Sequence, residues 1–192
     1  MGDPKKPKKK YSKPTHPLKR DRIEAEKTLA KDYGLVNKRE IWKMASSIKN
    51  FALQSKKYIV ARSKQAEIEK KALIDKLVRL GLIKACGQID DILSLDTKDL
   101  CERRFQTLVV RKGLARTMRQ ARQFIVHGHV CVGGNKVTAP GYIVSVDEEN
   151  TISFAQNSNL ANTEHPERTI QKKNIGKDAP KKPAKLEDAD AS

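Results

Sequence analysis

The sequence predicts an α+β chain. A small N-terminal helical domain (21–96) precedes a module (97–155) of two helices packed on a small antiparallel sheet. A disordered basic arm (1–20) and a flexible tail (156–192) flank them. Three observations carry this expectation. Between residues 21 and 80 apolar side chains recur at three- and four-residue spacing, the period of a helix with one buried face. From residue 130 the pattern changes to short β-branched runs separated by glycine and acidic turns. The apolar content of 38% against 33% charged residues is too low to bury all 192 residues, so the ends, rich in charge, stay outside the core.

The arm, Met1–Arg20, carries eight Lys or Arg against one acid, Asp3, and its prolines at 4, 7, 14 and 17 prevent a helix. Lys8, Lys9 and Lys10 are suited to lie along a polyanion, with Tyr11 and His16 available to stack on a sugar or base. A first helix is expected over 21–33, ended by Gly34. A second spans about 38–53, with Ile41, Ala45, Ile48 and Ala52 on one face and Trp42 and Phe51 flanking it, read as core packing rather than stacking groups. A third covers about 65–80, where Ala66, Leu73, Leu77 and Leu80 line up before Gly81. Such short amphipathic helices bury their stripes only against one another. Residues 84–96 form a connector with an apolar run, Ile89–Leu95, and Asp96 or Thr97 caps the next helix.

The module is the most informative stretch. Phe105, Leu108 and Val109 are helix-spaced among Arg103, Arg104, Arg111 and Lys112, and Gly113 ends that helix. Thr117 opens another, with Gln120 at capping-box spacing. At about 100° per residue, Met118, Ala121, Phe124 and Ile125 fall on one side. Arg116, Arg119, Gln120, Gln123 and His127 fall on the other, with Arg122 on the flank toward the apolar stripe. Gly128, the run Val130–Val132, a Gly133–Gly134 turn and Val137 follow. Two more β-like runs are expected, Tyr142–Val146 and Thr151–Phe154, joined by an acidic turn at Asp147–Asn150. Seven Lys or Arg against one acid between Glu102 and Val126 repel one another unless an anion sits among them, and a helix N-terminus favours phosphate. After Phe154 the apolar pattern stops.

These residues also carry a resemblance. Glu102-Arg103-Arg104-Phe105-Gln106, the run Arg111–Ile125, His127-Gly-His-Val130 and Val137-Thr-Ala-Pro140 closely resemble the RNA-binding domain of the small-subunit ribosomal protein number four (S-four) family. Tyr33–Trp42 and Lys76–Ile83 resemble its archaeal and eukaryotic type. The resemblance implies a structural constituent of the small ribosomal subunit, cytoplasmic and in the ribosome. Such a protein binds small-subunit ribosomal RNA directly, lies against neighbouring small-subunit ribosomal proteins and nucleates assembly by neutralising and positioning RNA helices. The candidate RNA-binding residues are then Arg103, Arg104, Arg111, Lys112, Arg116, Thr117, Arg119, Gln120, Arg122, Gln123, His127, His129 and Lys136, with Lys8, Lys9, Lys10 and Tyr11 of the arm.

Other chemistry finds little support. Three cysteines, Cys86, Cys101 and Cys131, without a CxxC pair argue against a disulfide framework or a zinc site. His127, His129 and Cys131 alternate but lack a fourth ligand at suitable spacing, so no metal, cofactor or catalytic residue is expected, and no small-molecule substrate. There is no phosphate-cradling loop, nucleophile elbow or zincin motif. The net charge of +17 points to a polyanion, and no run approaches the ~20 apolar residues that span a bilayer. The alternatives are a fragment of an RNA-modifying or tRNA-charging enzyme carrying the same module, and an RNA chaperone or translational regulator. The first needs a catalytic domain for which the assigned residues leave no room.

Overall fold

The computed structural model describes residues 9–84, 87–162 and 165–167. Helices α1 (Arg20–Asp32), α2 (Lys38–Val60) and α3 (Lys64–Arg79) come first, followed by a 3-10 turn over Ile89–Ser94. Then come α4 (Thr97–Glu102), α5 (Phe105–Arg111), α6 (Met118–Val126), β1 (Val130–Val132) and β2 (Asn135–Lys136). The short helix α7 (Val146–Glu149), β3 (Ile152–Phe154) and a 3-10 turn over Asn159–Ala161 complete the order. The three strands form an antiparallel sheet in the order β2-β1-β3, with Val132 opposite both Asn135 and Ile152. Gly133 and Gly134, at φ 57° and 84°, make the two-residue turn that matches strand twist.

Helix α2 runs seven residues past the expected end at Leu53. The residues beyond it look polar, but Ser55 is fully buried and its hydroxyl donates to the Ile89 carbonyl at 3.0 Å. The buried stripe is also turned from the expected one. Ile41, Met44, Ile48 and Phe51 pack inward, whereas Ala45 is exposed. Phe51 joins two of the three apolar clusters, as expected, but Trp42 joins none of them.

The packing crosses the expected domain boundary at 96/97. Leu100 and Cys101 of α4 pack with Leu35, Ile41 and Met44 in the helical body. Asp96 caps α4, reciprocated by Asp99. The module core starts with Phe105, Leu108 and Val109, and takes in Ala121, Ile125, Val130, Val144 and Ile152.

Residues Tyr142–Val146 are not a strand of the sheet. Tyr142 accepts from Phe105 N–H at 2.8 Å, and Val144 donates to Arg103 at 3.1 Å, so the segment lies antiparallel to the α4–α5 link. Successive extended residues face opposite ways. Ile143 therefore enters the helical cluster and Val144 the module core. The expected acidic turn is the helix α7, capped by Ser145 and Glu148.

Both expected end segments have described parts that touch the body. Ser12 of the arm donates its N–H to Ser46 Oγ at 3.1 Å. Beyond Phe154, Ala155 and Leu160 are buried, so the apolar pattern reaches past the expected module end at 155. Residues 1–8 and 168–192, where the rest of the expected arm and tail fall, lie outside the described residues.

Candidate nucleic-acid interface

The start of α6 is built as the sequence suggests, with one shift. Thr117 Oγ accepts from Gln120 N–H at 3.2 Å, but the Gln120 side chain reaches one residue beyond the cap and accepts from Arg116 N–H at 2.8 Å. Beneath it, fully buried Gln106 donates to the Met118 carbonyl at 2.7 Å and the Gly34 carbonyl at 3.4 Å. The α1–α2 loop is thereby tied to the head of α6.

The cations separate into two groups. Arg104 is buried, its side chain 4% exposed, and pairs with Glu40 at 2.7 Å. Arg122 grips the same carboxylate at 2.8 and 3.3 Å. Burial pushes the Glu40 carboxyl up, but hydrogen bonds from Arg122 and Arg104 and the charges of both outweigh it, leaving its pKa below the ordinary 4.5. Arg103 pairs with Glu149 at 2.7 Å and donates to the Val144 carbonyl. Arg103 and Arg104, both expected at phosphate, are thus each engaged by a carboxylate of this chain. Arg122 sits on the flank, as the helical wheel indicates.

The other group faces outward. Arg119, Gln123 and His127 are exposed along one side of α6, and Arg119 has no acidic partner among the described residues. Arg111 is exposed and holds a surface pair with Glu102, and exposed Lys112 donates to the Glu149 carbonyl. Surface pairs of this kind contribute about 1 kcal/mol or less, so they exchange readily for a phosphate. Arg116 is exposed and donates to the Pro166 carbonyl at 3.1 Å, while Gln120 donates to the Glu167 carboxylate at 2.8 Å. Lys136 is exposed on β2.

The half-buried His129 ring lies 6.3 Å from that of His127. Its Nδ1 lies 2.9 Å from Ser158 Oγ, and its ring packs edge-on against Phe124. Among the described residues no three His, Cys, Asp or Glu side chains gather as metal ligands, and no helix is long and apolar enough to cross a membrane. Burial raises the Cys101 thiol pKa to about 11, so it is held as an inert core thiol. In the arm, Lys9 and Lys10 are exposed and Tyr11 faces Trp42; Lys8 lies outside the described residues.

Sequence reasoning missed Lys38 and Arg39. They stand in the first turn of α2, where cations oppose the helix dipole. Lys38 pairs with Glu26 at 3.6 Å and Glu40 shares the turn, which leaves Arg39 as the cation there without an acidic partner among the described residues.

Comparison with known proteins fits this geometry. A family model described as S4 domain matches residues 103–150. The chain is 49% identical over 170 residues to small ribosomal subunit protein uS4 of Methanococcus aeolicus, covering 88% of this chain and 96% of that one. It is 47% identical over the same length to small ribosomal subunit protein uS4 of Methanococcus maripaludis strain C5, with the same coverage.

Proposed function

The chain belongs to the uS4 family of small ribosomal subunit proteins, and we propose that its outward α6 edge is the surface that grips small-subunit ribosomal RNA. The protein is a structural, RNA-binding constituent of the small ribosomal subunit. The observation that carries the reading of the edge is the division of the arginines. Arg104 and Arg122 are spent on Glu40, while Arg116 and Arg119 stand exposed at the start of α6 and Arg111 and Lys112 at the end of α5.

The mechanism is electrostatic and steric. Outward cations neutralise phosphates where RNA helices approach, and the ion-paired interior fixes the angle between the two bodies that present them. Duplex RNA has a major groove too narrow for side chains, so recognition runs through backbone, shape and 2′-hydroxyls. The role requires no turnover, and assembly is nucleated by holding RNA helices in register in the cytoplasm, beside neighbouring subunit proteins.

The test is binding to a small-subunit RNA fragment across a salt series. Each phosphate contact contributes about −0.7 to −0.9 to the logarithmic slope. Arg119→Gln keeps helix propensity and removes one charge, so the slope becomes shallower by about one unit. Phe124→Ala, a half-buried position, costs less than the ~3–5 kcal/mol of a fully buried aromatic and leaves the slope of the folded fraction intact. An unchanged slope in Arg119→Gln removes α6 from the RNA face.

A further inference from the structure

A cleft of about 840 Å³ opens where the arm crosses the start of α2. Tyr11 and Trp42 form its aromatic wall, their ring centroids 6.2 Å apart and tilted by 34°. Both rings are oriented from behind. The residue after Tyr11 is anchored through its N–H to buried Ser46. The Trp42 indole N–H donates to Glu26 Oε1 at 3.1 Å. Trp42 packs in none of the three apolar clusters: its polar edge answers buried Glu26 and the half-buried ring lines the cleft.

The charges around these rings are unbalanced. Glu26 is buried and compensated twice, by Arg22 and by Lys38 at 3.6 Å. Lys9, Lys13 and Arg39 line the cleft and have no acidic partner among the described residues. Helix α2 is 23 residues long, and its cap Asn37 makes no side-chain hydrogen bond to the first-turn amides. The Glu40 N–H bonds the Asn37 carbonyl at 3.0 Å and the Glu40 carboxylate is held by Arg104 and Arg122, so the Lys38 and Arg39 amides, beside the Arg39 guanidinium, are what the first turn offers an anion next to the aromatic face.

We infer that this cleft binds one unpaired RNA nucleotide, the base stacked at Trp42 and Tyr11 and the phosphate held by the α2 amides with Arg39 and Lys13. Bases within a duplex have no free face, so only an unpaired one can use the rings. An acidic peptide would satisfy the cations and leave the aromatic wall without a role. The inference rests on the RNA-binding reading above and adds a second, base-stacking site, built on the arm and α2 rather than on α6.

Trp42 is the chain's one tryptophan, so its emission reports the site directly. The full chain is titrated with hexa-adenylate, with an abasic ribose-phosphate hexamer and with hexaglutamate. Only hexa-adenylate should quench Trp42 to saturation. Tyr11→Ala, outside every core, should weaken that binding about tenfold. Arg39→Gln should make its salt slope shallower by about one unit. Equal quenching by the abasic chain or by hexaglutamate would reduce the cleft to a general anion site and overturn the inference. If hexa-adenylate leaves Trp42 unchanged while the small-subunit RNA fragment still binds with a steep salt slope, the inference fails and the α6 reading stands. If that fragment does not bind either, both fall.

Discussion

Glu40 shows how much one carboxylate decides. It faces two arginines from the module, one of them with a side chain only 4% exposed. Removing the carboxylate leaves Arg104 as a buried charge without its partner, which is costly even where the intact pair adds little. Glu40→Gln should therefore lower unfolding free energy by about 3 kcal/mol at neutral pH. The pH dependence follows from the depressed carboxyl. Its contribution is complete above the ordinary value of 4.5 and is lost as pH falls from there through the lower folded-state value. Wild-type stability should fall in that window, and Glu40→Gln should lack this part of the fall in chemical denaturation followed from pH 7 to pH 3. Parallel curves would mean that the triad is not the seat of the effect. None of this was legible in the sequence, where all seven Lys and Arg of the basic stretch look alike. Arg104 and Glu40 are 64 positions apart, and only folding reveals which charges are already answered. Arg122 was the exception, because the helical wheel alone set it against the packed side.

At the scale of elements, local cap and turn signals served well, whereas periodicity misjudged the end and the buried stripe of α2 and the pairing of the extended segments. Starts and stops marked by Asp96, Thr117, Gly81 and Gly113 fall within a residue of expectation, since caps and left-handed turns are local chemistry. The stretch Tyr142–Val146 reads as a strand because it alternates, and it does alternate, but between two cores instead of between core and solvent. A sequence pattern does not say which neighbour an extended segment pairs with. The α1–α2 loop supplies the sharpest test of how elements lock together. Gly34 has φ +58°, and a Cβ there would meet Met118 Cβ at 2.6 Å and Gln106 Nε2 at 3.0 Å. Gly113 has a similar φ of +72° with nothing within 4 Å. Both alanine variants bear the left-handed strain of about 1–2 kcal/mol. Only Gly34→Ala must also push α6 away from the helical body, so it should cost about 1–2 kcal/mol more in urea unfolding. Equal costs would mean that the contact between the loop and α6 yields freely.

On the scale of the whole molecule, the question is whether two small bodies behave as one. Each is about the size at which a single apolar core supplies only about 3–5 kcal/mol, so neither has much margin alone. Among the ties that join them are the Glu40 triad, Gln106 bridging Gly34 and Met118, and the segment that sends Ile143 to one core and Val144 to the other. Helix α4 adds to this, because it precedes the module in sequence yet packs with the helical body, which the expected boundary at 96/97 could not convey. A protein that sets the angle between RNA helices gains from such coupling, since a loose joint would present correct charges at variable spacing. Calorimetry tests it. The wild-type chain should unfold in one transition whose van't Hoff and calorimetric enthalpies agree. A Glu40→Gln, Ile143→Ala double variant weakens two of these ties while sparing Val144 in the module core. It should unfold in two steps, or in one broad step with a van't Hoff enthalpy well below the calorimetric value. Its affinity for the RNA fragment should fall while the salt slope stays unchanged, because every outward cation is still in place and only the geometry has loosened. Two well-separated transitions in the wild type would show instead that the bodies are independent and that RNA, not the protein, fixes the angle between them.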